Sequence, residues 1–463
     1  MNNRKSMLLA IIMVFLTNPL YPQQHKSVSD KGYKEEVINA ICQLFQSKYV
    51  ISDVAEKYSA EFRKKYTAGC YDSCTDAKAF AKTVTADLIG ITHDKHINFR
   101  IIESSAVGEK AESALHHPVR YHLLQAKENT GFYKLEWIEN SIGYVDIRRF
   151  YSFDLAKDMI IAALKFLANS NAIIIDVREN GGGSGDFLSS YFLPYPTQLT
   201  GWYSREDDWL TEFGTIKDIG TEPLLDTPVF ILTSDRTFSA AESFAYDMKV
   251  RKRATIIGDS TKGGAHSVDL CKIDDQFEIY ISTERAINPL TGENWEGVGV
   301  IPDILVPSTV ALDTAIMLAR KAGEGYARAK EAKLKQAVAE MQIHLDKAEL
   351  LYRENKTADA DAALDSLFQI GATVGLINEF FIDVLAYNYL SDKDDQILYA
   401  ILKKKIALFP KSVSAHERLA SVYYSKGKKE LALQYFQKVL ELEPDNRNAA
   451  KMIKRLRDDI IRN

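Results

Sequence analysis

Cysteine is scarce in this sequence: four in 463 residues, at Cys42, Cys70, Cys74 and Cys271. A disulfide-built scaffold needs more. A zinc finger is excluded too, because "CYDSC" has no second Cys or His pair at a zinc-like spacing. Positive charge is not in excess, since the formal net charge is −5. That argues against a nucleic-acid-binding face, which is normally basic. No apolar run reaches the roughly 20 residues of a membrane span. The glycine run in "ENGGGSGD" lacks the G-x-G-x-x-G pattern and is followed by no lysine-serine pair, so it is not a phosphate-binding fingerprint.

What is present is an ordinary globular composition, 46% hydrophobic and 26% charged. The length exceeds one ordinary core and implies two or three domains. At the N-terminus, Arg4 and Lys5 precede the apolar run "MLLAIIMVFL", and "TNPLYPQQ" follows. A basic start, a ten-residue apolar stretch and a polar exit predict a signal peptide over 1–24. The mature protein is then exported, periplasmic or extracellular. Cys70 and Cys74 in "GCYDSCTD" either close a small ring or remain free thiols. The tandem His116-His117 reads as an exposed loop.

Residues 25–102 read as a helical domain, with apolar spacings of three and four in "YKEEVINAICQLFQSKYV" and "DAKAFAKTVTADLIGI". "THDKHINFRII" closes it as a polar turn feeding a strand. Over 103–324 strands alternate with helices. "GFYKLEWI" and "IGYVDIRRF" pair across an "ENS" turn, and "AIIIDVR", "PVFILTS" and "ATIIGD" are short runs suited to buried strands. This order implies an α/β domain with a largely parallel sheet. Segment 200–226 lacks a period and reads as an insertion near the site, a candidate lid. Beyond 325 the chain is helical and repeats. Leu385, Ala386, Tyr389 and Pro410 recur 34 residues later as Leu419, Ala420, Tyr423 and Pro444, with Ala432 and Phe436 added. The period and residues resemble the tetratricopeptide repeat.

Four stretches carry candidate chemistry. "DVRENGGGSGD" puts three glycines after a buried strand, where they give no packing but let main-chain N–H groups approach a ligand. "TFSAAESFA" puts Ser239 at a strand-to-helix turn. There the helix dipole and free N–H groups favour an oxyanion, although Ser239 with Glu242 is equally a capping box. "HDKH" flanks a turn with histidines, and "NPLTGENWEGVGVIPDI" holds Glu296 between glycines and a proline. Taken singly, each stretch is also ordinary loop or cap.

In order and rough spacing, "AIIIDVRENGGG", "PVFILTSDRTFSAAESFA", "IIGDSTKGGAHS" and "WEGVGVIPDI" resemble the C-terminal-processing (tail-specific) serine proteases. The helical segment ending in "DKHINF" resembles the branch that holds the tricorn core and the interphotoreceptor retinoid-binding protein modules. The resemblance covers about 30–310. It implies a crotonase-like (ClpP-like) α/β core behind an N-terminal helical domain, followed here by an all-α tetratricopeptide-like domain over 325–463. It also implies Ser239 as nucleophile, with Gly182 or its neighbour Gly183 and the N–H of Ala240 as the oxyanion hole. One branch of the family takes its base from a lysine in T-x-G-K-G. Here that position is Gly264, and Lys262 lies two residues earlier, about 6.5 Å away along an extended chain. The other branch uses the histidine of D-x-H, which is His96 here, with an acid of the last motif, Glu296. His266 in "GGAHS" is a second imidazole near the same place, either the partner or a substrate contact. Glu242 either joins the network or only caps its helix. No PDZ domain fits between 103 and 140.

The reading is an exported serine endopeptidase acting on peptides or unfolded proteins, with no metal or organic cofactor, no nucleic acid and no membrane span in the mature chain. The repeats offer a surface for a protein partner. The alternatives are a non-catalytic module of the same fold that binds an apolar ligand or a protein, and a repeat scaffold with an inert middle domain.

Overall fold

The computed structural model describes residues 26–102, 116–185, 187–389 and 396–461, and the expected signal segment 1–24 lies outside them. The chain divides into two compact units, one ending at Glu324 and the other beginning at Gly325.

The first unit opens with helices α1 (Lys31–Lys48), α2 (Ser52–Thr67) and α3 (Ala77–Thr92). Asp30 and Asp76 start α1 and α3 by accepting first-turn N–H groups. His93, in the left-handed region at φ 58°, ends α3 and turns the chain into Asp94-Lys95-His96. Strand β1 (Asn98–Ile101) follows, then helix α4 (His116–Lys127), so the tandem histidines open a helix rather than lie in a loop. Next come β2 (Phe132–Ile138), β3 (Ile142–Ile147), α5 (Phe153–Leu167) and β4 (Ala172–Asp176). Strands β5 (Gln198–Ser204), β6 (Trp209–Gly214) and β7 (Val229–Thr233) lead to helix α6 (Ala240–Val250). Strands β8 (Ala254–Gly258), β9 (His266–Lys272), β10 (Phe277–Ile287) and β11 (Ile304–Leu305) complete the set before helix α7 (Ser308–Arg353).

These strands form two sheets. One has the order β11-β8-β7-β4-β3-β2, parallel except for β2 at its edge. Its centre is buried on both faces, which is why the β4 and β7 segments read as unbroken apolar runs. Ile173 and Ile175 face the core made with α5 and α6, while Ala172 and Ile174 face Ala311, Ala315 and Ala319 of α7. The second sheet runs β1-β10-β5-β6, with β9 also on β10. Two sequence expectations change here. The 200–226 stretch is not a free insertion: β5 and β6 form a hairpin whose first strand pairs with β10. The N-terminal helices do not stand apart as a 25–102 body either. β1 pairs with β10, and Phe80, Phe99, Phe277 and Ile279 share one core. All four cysteines are free, with Cys74 buried and Cys70 exposed, so the ring option falls.

The second unit is helical throughout its described residues. It holds the end of α7 and helices α8 (Thr357–Thr373), α9 (Glu379–Tyr387), α10 (Gln396–Leu408), α11 (Val413–Ser425), α12 (Lys429–Leu442) and α13 (Arg447–Ile461). The repeating positions Ala386, Leu419, Ala420, Ala432 and Phe436 are fully buried in its core. The small residues let neighbouring helices approach, and the large ones fill the gap between them.

Candidate active site

Ser239 is the N-cap of α6, at the end of a short turn from β7. Two interactions pin that turn to the loop after β4: Thr237 Oγ1 donates to the Val177 carbonyl at 2.8 Å, and Phe238 N–H donates to the Asn180 carbonyl at 3.0 Å. The serine itself sits at φ 54°, ψ −121°, a conformation costing an L-residue about 1–3 kcal/mol. Ser239 and Glu242 stand in the geometry of a capping box, with the serine side chain facing the Glu242 N–H but short of a full hydrogen bond. The other half of the box is formed by Glu242, whose carboxylate accepts the Ser239 N–H at 2.8 Å. The same fully buried carboxylate accepts from Thr261 Oγ1 at 2.5 Å, Gly263 N–H at 2.6 Å and Gly264 N–H at 2.9 Å. Burial pushes the Glu242 carboxyl up, and these donors pull it back.

Opposite the serine lies the glycine loop. A Cβ on Gly182 would stand 2.9 Å from that of Ser239, so only glycine allows the approach. The Gly182 N–H, however, is spent on Asn180 Oδ1 at 2.8 Å. Asn180 in turn donates to the Ile147 carbonyl at 3.0 Å, fixing the loop to the end of β3. The Gly183 N–H and the Ala240 N–H have no partner among the described residues. Of the two glycines named from the sequence, it is therefore Gly183 that has a donor to offer. The role of Asn180 was open to sequence reasoning, because an asparagine two residues before a turn N–H is an ordinary Asx arrangement.

Ser239, Ala240, Gly183, His96 and His266 line one cleft of about 500 Å³, walled by Leu199, Trp202, Phe213 and Ile216 from the β5–β6 region. His96 packs on Phe238, the residue before the serine, with ring centroids 4.4 Å apart. Both of its ring nitrogens are buried without a hydrogen bond. Burial holds the imidazole down to about 4, so it is neutral at pH 7. Its turn is set by Asp94, whose Oδ1 accepts the His96 N–H at 3.0 Å. The ring Nδ1 stays 3.9 Å from that oxygen, beyond hydrogen-bond reach.

His266 stands at the start of β9, where its Nδ1 meets Asp94 Oδ2 at 3.0 Å. Burial opposes its charge, but the bond and charge of Asp94 outweigh that and raise its pKa. In the D-x-H turn the sequence points to the histidine and gives Asp94 no separate role. Asp94 is 1% exposed and holds the main-chain N–H of His96 with one oxygen and the His266 ring with the other. Glu296 lies 3.8 Å from His266 Nδ1 and accepts the Ala265 N–H at 2.5 Å. Its Oε1 is buried with no partner, and burial pushes its carboxyl up to about 7. Asp94, His266 and Glu296 each offer a ligand atom within 4.8 Å of the others, a set of the kind that can hold a metal ion. The 3.0 Å His–Asp spacing is that of a hydrogen bond, so a proton suffices to hold the pair together. Lys262 does not line the cleft. It is exposed, and its Nζ lies 4.5 Å from the centroid of the Phe238 ring.

Residues 141–306 match the model for peptidase family S41, and 32–133 match the N-terminal domain of peptidase S41 in eukaryotic IRBP. The core of the chain thus carries a peptidase family S41 domain. Residues 413–446 match the tetratricopeptide repeat. Among curated proteins the chain is similar to carboxyl-terminal-processing peptidase 1, chloroplastic, of Arabidopsis thaliana, at 25% identity over 37% of this chain and 35% of that protein. It is 26% identical to a carboxyl-terminal-processing protease of a Picosynechococcus species, over 36% of this chain and 39% of that one. It therefore matches little more than a third of the length of either relative. Among solved structures, a putative peptidase from Parabacteroides merdae aligns at 17% identity with a TM-score of 0.43, covering 64% of this chain and 97% of that one. A mixed α/β core, helices before it and helical repeats after it are the architecture that the sequence implied.

Proposed function

We propose that this S41 chain is an exported serine endopeptidase that cleaves peptides or unfolded proteins through an acyl-enzyme. The observation that carries the reading is the convergence at Ser239. The serine hydroxyl at the start of α6, two main-chain donors unspent among the described residues and a neutral imidazole line a single cleft. In this reading Ser239 Oγ attacks the scissile carbonyl and His96 takes its proton. The Ala240 and Gly183 N–H groups receive the oxyanion. His96 then returns the proton to the leaving amine, and water hydrolyses the ester by the same route in reverse. Asp94 positions the turn that carries His96. Glu296 supplies negative charge to the network once ionised.

His266 is the rival base. Its support is the 3.0 Å bond to Asp94, an orienting contact that the ring nitrogens of His96 lack. A serine-reactive fluorophosphonate tests the whole reading: the wild type should label and Ser239→Ala should not. His96→Ala should lower kcat/KM by three orders of magnitude or more, on the scale of losing a triad member. If His266→Ala does that and His96→Ala does not, the base is His266. No labelling and no turnover would leave the non-catalytic binding module. Export is read from the basic-apolar-polar order of residues 4–24, and a mature chain that still begins at Met1 would refute it.

A further inference from the structure

Large apolar side chains wall the cleft that holds Ser239, yet two carboxylates also line it, Asp247 and Glu284. Asp247 is buried and spent. It takes the Arg251 guanidinium at 2.5 Å, the Asn288 side-chain amide at 2.9 Å and the Thr200 N–H at 3.1 Å. Glu284 is part-buried and has no hydrogen-bond or ion-pair partner among the described residues.

Its place in the sheet explains why. The β9–β10 register shifts between Ser282 and Glu284, and beyond the shift Glu284 stands between Ser204 of β5 and Ser267 of β9. Directly opposed residues are the ones that pair across strands, and both of these are short and neutral. The nearby cations are engaged elsewhere. Arg285 is the next residue along the strand, so its side chain leaves from the other face. It lies over the Tyr203 ring, 5.3 Å from the centroid. Arg205 donates to the Tyr49 and Gln46 carbonyls at 2.8 and 3.1 Å. No lysine or arginine lines the cleft. Trp202 opposes Ala286, two residues on from Glu284, so the indole and the free carboxylate share one face of the sheet.

We propose that Glu284 is a specificity-determining residue of the cleft, selecting substrates that carry a lysine or arginine side chain beside the scissile bond. Such a side chain suits both features of the wall. Its methylene stem packs on Trp202 and Phe213 while its charged head reaches Glu284. A neutral apolar residue would cover the carboxylate without pairing it, and an acidic one would be repelled. The inference rests on the peptidase reading.

The test uses one N-acetylated, C-amidated peptide with a single cleavage site. Lysine, methionine and glutamate are placed in turn at each position close to the scissile bond on either side. At one position the wild type should cleave the lysine peptide with a kcat/KM about tenfold above that of the methionine peptide, the scale of one charge-assisted contact. In Glu284→Gln that ratio should fall to within about twofold of one, and in Glu284→Lys the glutamate peptide should lead at the same position. A lysine advantage that survives Glu284→Gln overturns the proposal, as does a wild type indifferent to lysine at every position. Omitting the acetyl group from the methionine peptide separates a terminal ammonium from a side chain: a free amine that matches lysine overturns the side-chain assignment. Binding of the same peptides to Ser239→Ala, read by fluorescence anisotropy, reports the preference with Glu284 intact and without turnover. Equal affinity for the lysine and methionine peptides there overturns the specificity even if the wild type labels and cleaves. A chain that prefers lysine in binding but neither labels nor cleaves keeps the cation site and loses the peptidase.

Discussion

Two glycine-bearing loops flank Ser239, and they use their main-chain amides in different ways. In the 261–265 loop every amide next to the site is spent: Gly263 and Gly264 donate to Glu242, and Ala265 donates to Glu296. In the 180–183 loop Gly182 is tied by Asn180, while the Gly183 N–H has no partner among the described residues. Both loops are rich in glycine and both follow a parallel strand, so composition alone does not separate them. Their hydrogen bonds do. A buried N–H already paired to a carboxylate cannot receive an oxyanion without giving up a charge-assisted bond. The first loop is therefore a frame around the serine, and the second is the one with a main-chain donor left over for the proposed oxyanion hole.

The most damaging way to challenge this contrast is to remove the carboxylate that makes the frame. Glu242→Ala would leave the N–H groups of Ser239, Gly263 and Gly264 and the Thr261 hydroxyl without their acceptor. Each orphaned buried donor costs about 1–3 kcal/mol. The expected result is a loss of several kcal/mol in chemical denaturation, along with loss of fluorophosphonate labelling. A variant with native stability would show that the frame is not held by Glu242. Next in size is Gly264→Ala. Its Cβ would fall 2.2 Å from the Phe238 ring and 2.5 Å from His96 Cε1. Overpacking of this kind costs about 1–3 kcal/mol, and here it also displaces the candidate base, so kcat should fall at least tenfold. Gly181→Ala, whose Cβ meets open space, is the matched control in the other loop and should change stability by less than about 0.5 kcal/mol.

Much of this arrangement was legible in the sequence, for identifiable reasons. The β4 and β7 runs are apolar on both faces, and the helix periods are regular, so the buried strands and the largely parallel character of the main sheet could be read. The motif residues Ser239, His96, Glu296 and Gly182, with Gly183 as its neighbouring candidate, were named because their spacing resembles one family. The β5–β6 hairpin was missed because its outer strand is mostly exposed and alternates poorly, with Trp209 and Phe213 open to solvent. Its pairing to β10 is a long-range contact that no local period encodes. The commitment of Gly182 to Asn180 and the double service of Asp94 were also invisible, because both depend on side-chain directions across elements. His266 shows the same limit from the other side. Its position in "GGAHS" marked it as near the site, but only the 3.0 Å bond to Asp94 distinguishes it chemically from His96.

The smallest expected effects concern pH, and they separate the two imidazoles. Burial depresses the pKa of His96 to about 4, so as base it remains neutral and active well below pH 6, and the acid limb of kcat/KM lies near 4. His266 is shifted upward, so as base it would put that limb above 6.5. Glu296, pushed up to about 7, can add a shallower step there if its ionised form assists. Glu296→Gln should remove that step and leave the lower limb in place. Lys262 then provides the finest test. Its charge is one of the influences that lower His96, after burial and the charge on His266. Lys262→Met removes a positive charge near the imidazole, so protonation becomes easier and the pKa rises. The acid limb should therefore move upward by a fraction of a unit while activity at pH 8 changes less than about twofold, as fits an exposed cation on an aromatic ring. A limb that stays put would mean that the titrating base is not the imidazole stacked on Phe238. An inactive Lys262→Met at every pH would instead make the lysine amine the base and exclude both histidines from that role.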